Sequence, residues 1–157
     1  MLLLLLVLLP LVGALALLFD KKRAWNIPLL TCSLVLALAI FGLKPVFGGG
    51  TISYTLNLPG PFAPVLQADP LTAIFVILAA LLWFAVAIYA PKYMVHEGKV
   101  KFFELVTLLT YSAVLGVFLA GDLVTMLLFF ELMTITSCFW VVHRWNREAI
   151  RAGYFYL

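Results

Sequence analysis

Charge is what this chain has least of. Ten Lys or Arg and seven Asp or Glu make up 11% of 157 residues, against about a quarter in an average soluble domain. With 66% of its residues hydrophobic, the chain reads as an integral membrane protein. The few basic residues stand in short clusters between apolar runs, where membrane topology accounts for them, so nucleic acid is excluded as a partner. Cysteine is nearly as scarce. Cys32 and Cys138 both fall inside apolar runs, with no CxxC and no ligand-like spacing to a histidine, which makes them packing residues and excludes a disulfide or a metal site. Haem, iron–sulfur and nucleotide motifs are missing too. No cofactor and no catalytic redox site are therefore expected in this chain, and any redox chemistry belongs to a partner.

What the sequence has in quantity is long uncharged runs. A helix needs about 20 apolar residues to cross a bilayer, and five segments qualify: 1–19, 24–43, 70–90, 103–120 and 122–142, followed by a tail over 143–157. The expected fold is all-α, a single transmembrane domain over 1–157 with five spans, the onset of a sixth, and a short hairpin-like connector outside the cytoplasm. The first run is followed at once by Asp20-Lys21-Lys22-Arg23. A cleaved signal peptide carries its positive charge before the apolar stretch, so this run is an uncleaved helix. The connector over 47–68 holds Gly48-Gly49-Gly50 and Pro59-Gly60-Pro61, between which TISYTLNL alternates like a strand and PVLQA like its return. Asp69 before Pro70 and Asp122 after Gly121 read as helix caps. Pro91 is expected to end the third span, and 92–104 to form a polar loop carrying His96, a solvated histidine with no ligand partner. Loops one and three and the tail carry nine basic residues, and the other side only Lys44. By the positive-inside rule the N-terminus lies outside and the tail in the cytoplasm of a multi-pass cell-membrane protein.

Within the fifth run stands one charge. Glu131 lies eight residues after Leu123 and eleven before Val142, about 12 to 17 Å from either boundary. Charged groups at that depth cost roughly 2.5 to 3.5 kcal/mol on insertion scales, so function is the default hypothesis. A carboxyl desolvated in a bundle has its charged form disfavoured and can take up and release protons near neutrality. Thr134 and Ser137 follow it towards the cytoplasmic side and are candidates to hydrogen-bond water or the carboxyl group. The competing reading is a neutral glutamate that ties two helices together.

Four stretches carry a resemblance: LQADPLT over 66–72, GDLVT over 121–125, FFEL over 129–132 and AGYFYL over 152–157. Together they resemble the N-terminal part of the antiporter-like subunits shared by respiratory complex I, Mrp-type cation/proton antiporters and membrane-bound energy-converting hydrogenases. The resemblance covers the first five helices of a longer family pattern, as a truncated or split subunit would. It implies that Glu131 matches the family's fifth-helix glutamate and relays protons, or works in Na⁺/H⁺ exchange. It further implies a lysine partner on a later helix, and other membrane subunits and lipid as partners. The alternative is a structural membrane subunit of the same kind of assembly that does not pump.

Overall fold

The computed structural model describes residues 1–19, 26–56, 63–94, 100–143 and 145–156. Five long helices, α1 (Leu2–Phe19), α2 (Asn26–Gly42), α3 (Pro70–Met94), α4 (Val100–Leu119) and α5 (Leu123–Val142), are long and apolar enough to cross a membrane, and a short α6 (Arg147–Tyr156) follows. The chain is an all-α membrane bundle. The basic cluster at 21–23, the loop histidine His96 and Arg144 lie outside the described residues.

The core forms where α4 meets its neighbours. In α4, 61% of the span is buried, against 11% in α5, so α4 is the central column and α5 an outer one. Leu108, Tyr111, Leu115 and Leu119 recur at helical spacing along α4 and are buried to 0% exposure, packed with Leu3 and Leu6 of α1, Val35 of α2 and Val76 of α3. Hydrogen bonds between helices reinforce this. The Ser112 hydroxyl donates to the Val7 carbonyl of α1 at 2.7 Å, and the Trp83 indole of α3 donates to the Thr107 carbonyl at 3.1 Å. With no water in the surrounding hydrocarbon, buried polar groups need such partners.

One end of the bundle is closed by the connector. After α2, a 3-10 turn over Lys44–Gly48 leads to β1 (Ile52–Thr55), which pairs antiparallel with β2 (Val65–Ala68) in the register Ile52↔Ala68. This is the hairpin expected from TISYTLNL and PVLQA; residues 57–62 between its strands lie outside the described residues. The hairpin docks on the α4–α5 turn. The Gly121 amide donates to the Val65 carbonyl at 2.7 Å, while the Val65 amide donates to the Thr125 hydroxyl at 3.1 Å.

Two boundaries differ from the sequence expectation. Pro91 does not end α3, which continues to Met94. A proline removes one backbone donor, here the one the Ala87 carbonyl would take, and in a last turn that loss need not stop the helix. The polar loop is also shorter than 92–104, because α4 begins at Val100. Its first turns include Lys101 and Glu104, charged residues that the periodicity of the following run does not by itself assign to the span.

Candidate functional site

Glu131 sits at mid-length of α5, and its direction follows from the seam between α4 and α5. A Cβ on Gly116 would lie 2.2 Å from the Phe129 ring, so only glycine lets that ring seat against α4. Two residues on, about 200° round the helix, Glu131 is exposed on the outer side of the bundle. Among the described residues none hydrogen-bonds or pairs with it. Leu127, Leu128, Phe130, Leu132 and Ile135 around it are likewise exposed apolar side chains. Seven residues further, on the same helical face, Cys138 is buried, and there α6 begins to cover α5: a Cβ on Gly153 would stand 3.6 Å from the Cys138 sulfur.

The hydroxyls expected to support Glu131 point elsewhere. Thr134 donates to the Phe130 carbonyl at 3.0 Å, and Ser137 lies 3.1 Å from the Thr134 carbonyl and 2.8 Å from the Tyr156 hydroxyl of α6. Ser137 thus joins α5 to α6, and the structure does not bring either hydroxyl onto the carboxyl group. Asp122 and Asp69 stand at helix starts. Asp122 accepts from the Val124 and Thr125 amides at 2.9 Å each and also from the Val65 amide of β2 at 3.3 Å. Asp69 accepts from the Thr72 amide at 2.7 Å. Both carboxyls are held below the usual carboxylate range, Asp122 chiefly by the Thr125 hydroxyl and amide and Asp69 chiefly by the Thr72 amide. Cys32 and Cys138 are free and buried, and no cluster of metal-ligating side chains occurs among the described residues.

A second carboxyl escaped the sequence reading. Glu104, four residues into α4, is 8% exposed, and its Oε1 is buried without a hydrogen-bond partner. It lines a cavity of about 10 Å³ with Cys32 of α2, Trp83, Ala87 and Pro91 of α3, and Thr107 of its own helix. A signal for it was present in the sequence. Phe102 to Thr107 reads FFELVT and Phe129 to Thr134 reads FFELMT, so the residues around Glu131 recur around Glu104 with one substitution.

Comparison with known proteins shows what this chain is similar to. Residues 62–103 match the family described as NADH-ubiquinone oxidoreductase (complex I), chain 5 N-terminus. The chain is 28% identical over 157 residues to a Na(+)/H(+) antiporter subunit of Bacillus subtilis (strain 168), covering 96% of this chain and 31% of that protein. It is 30% identical over 149 residues to a probable K(+)/H(+) antiporter subunit of Rhizobium meliloti (strain 1021), covering 91% of this chain and 15% of that protein. Among solved structures, respiratory complex I from Thermus thermophilus with bound NADH matches with a TM-score of 0.77 at 27% identity, over 98% of this chain and 31% of the matched one. The membrane-bound sulfane sulfur reductase, an archaeal respiratory membrane complex, shares the fold with a TM-score of 0.85 at 21% identity, over 98% of this chain and 33% of the matched one. The chain thus spans a third or less of the relatives it matches.

Proposed function

We infer from this chain's similarity to the N-terminal portion of antiporter-like subunits that it takes part in proton or Na⁺/H⁺ translocation inside a multisubunit membrane assembly, with Glu131 as a proton relay. The observation that carries this reading is the placement of Glu131: a single carboxyl at mid-depth, on the least buried span, turned away from the bundle. An acid facing hydrocarbon at that depth is costly. The arrangement makes physical sense when further helices cover that face and supply polar partners or water, which is where a relay has to pass its proton on. Other membrane subunits are the partners this reading requires. Its orientation has the N-terminus and hairpin outside and the arginine-bearing tail in the cytoplasm.

A second reading has one observation in its favour. Thr134 and Ser137 spend their hydroxyls on backbone and on α6, as they would in a scaffold that only packs. Substitution at Glu131 separates the two. Gln keeps the volume and a carbonyl but carries no exchangeable acid proton, whereas Asp keeps the acid one methylene shorter. In proteoliposomes holding the whole assembly, Glu131→Gln is expected to assemble normally while pH-gradient formation drops by an order of magnitude or more, with Asp retaining part of it. Full gradient formation by the Gln variant would remove Glu131 from the mechanism and leave the scaffold reading.

A further inference from the structure

We propose that Glu104 is a second proton-exchanging carboxyl of this chain, set one turn inside the end of the bundle opposite the hairpin and facing a cavity with room for one water. The proposal rests on the reading that the subunit moves protons, and it adds a group on α4 to the one on α5.

Glu104 lies four residues after the start of α4, about 6 Å along the axis, at the end where the Lys101 ammonium donates to the Leu18 carbonyl of α1. Its carboxyl nevertheless turns inward, with Oε1 closed off from solvent and unpartnered. Few buried polar atoms in folded proteins lack a partner, and each such case calls for a physical reason.

Nearby donors are already committed elsewhere. The Thr107 hydroxyl donates to the Phe103 carbonyl at 2.8 Å and accepts from the Trp140 indole of α5 at 3.2 Å. The Trp83 indole is spent on the Thr107 carbonyl. These two indoles clamp α4 from α3 and α5 just above Glu104 and leave its Oε1 no donor among the described residues. The cavity beside it, about 10 Å³, is close to the minimum that holds one water. A water there meets the Glu104 carboxyl and the Cys32 sulfur, and it is the natural acceptor and donor for the carboxyl proton. The step is a bare proton transfer: the O–H bond of the carboxyl breaks as one forms on water, and the reverse reloads it, with no electron moved.

The occupant is a proton rather than a metal cation because of the donor set. Hard cations take about six oxygen ligands, whereas this cavity offers one carboxylate, a committed threonine, a thiol and otherwise carbon. Of the titratable groups facing Glu104 from the packed helices, α2 contributes Cys32 and α3 none among its lining residues. From α5, His143 packs its ring edge-on against Phe103 at 6.3 Å, with Nε2 buried and unpartnered. Further in, Tyr111 lies seven residues along the same face of α4, stacked on Trp83 at 5.0 Å, and its hydroxyl is the other buried side-chain oxygen without a partner among the described residues. A buried polar stripe of Glu104, Cys32 and Tyr111 therefore runs from this end into the centre of an otherwise apolar core.

Two measurements on the whole assembly test the proposal. The first is the infrared carbonyl stretch of protonated carboxyls, recorded across a pH titration in H₂O and D₂O. A titrating band present in wild type and in Glu131→Gln should vanish in Glu104→Gln and reappear shifted in Glu104→Asp. The second is pH-gradient formation in proteoliposomes, which should fall by an order of magnitude or more in Glu104→Gln at normal assembly and recover in part in Glu104→Asp. An infrared spectrum that Glu104→Gln leaves unchanged overturns the proposal, and so does undiminished gradient formation. If Glu131→Gln pumps fully while the Glu104 band still titrates, the proposed function fails and Glu104 remains an exchanging acid. If Glu131→Gln stops pumping and Glu104→Gln does not, only the present proposal fails.

Discussion

At the scale of single residues, Asp122 and Thr125 decide how the hairpin meets the bundle. Thr125 is fully buried, and its hydroxyl bonds Asp122 while accepting the Val65 amide. Replacing it with Val keeps the shape and leaves the Val65 amide only the longer bond to Asp122. Thr125→Val is expected to destabilise the fold by about 1 to 3 kcal/mol, with Thr125→Ser close to wild type, measured by thermal unfolding in detergent. Asp122 adds a pH dependence. Its folded carboxyl titrates lower than an unfolded aspartate, near 3.9. Its contribution is therefore fully present above that value and is lost as pH falls through the folded one. Unfolding midpoints should be insensitive to this group between neutral pH and about 5 and should fall below about 4. Asn at 122 keeps a side-chain acceptor but does not titrate there, so the acid-side loss should shrink in Asp122→Asn; an unchanged acid limb would assign it to other groups.

Glutamate at 104 and glutamate at 131 show what could be read from residues alone. Glu131 stands out because nothing else charged shares its run. Glu104 sits beside Lys101 and Lys99, where charge density resembles a loop, and its burial depends on α2 and α3 closing over it. Local composition does not contain that. The duplicated FFEL-x-T was available and points to it. The direction in which Glu131 faces was not available, because it depends on how α5 packs on another helix, where Phe129 seats against Gly116.

Among the elements, the α4–α5 seam governs the site. The Phe129 ring seats directly on Gly116, a contact expected to hold the rotation of α5 and with it the side to which Glu131 turns. Ala at 116 would put its Cβ well inside contact distance of that ring, so the ring or the helix must move. Such overpacking costs about 1 to 3 kcal/mol. Gly116→Ala is expected to lower the unfolding midpoint and to reduce gradient formation, although the residue touches no proton. Phe129→Leu should relieve part of both effects when combined with it, because the two positions share one contact and are coupled. Additive losses in the double variant would show that the ring does not set the rotation of α5. The five spans and the hairpin were legible from run length and turn residues, since both depend on local pattern. The extents of α3 and α4 were not, since Pro91 is tolerated inside the last turn of one, and Lys101 and Glu104 begin the other.

For the molecule as a whole, orientation rests on the distribution of charge. Lys92 and Lys101 belong to the end of the bundle opposite the hairpin, together in sequence with the clusters at 21–23 and 147–151, while Lys44 alone stands on the hairpin side. Translocation of loops against that asymmetry is disfavoured, so the proposed orientation has the hairpin side facing out. The two native cysteines are buried and give little background to a thiol probe. Gly48 has open space around it and ordinary backbone freedom, unlike Gly49 at φ +87°, so cysteine is tolerated there. In intact cells a membrane-impermeant maleimide should label Gly48→Cys, while Gly98→Cys in the opposite loop should react only after permeabilisation. If the hairpin side instead faces the cytoplasm, the two labelling patterns exchange. Glu104 would then sit near the outer surface, and the proton it exchanges would come from outside.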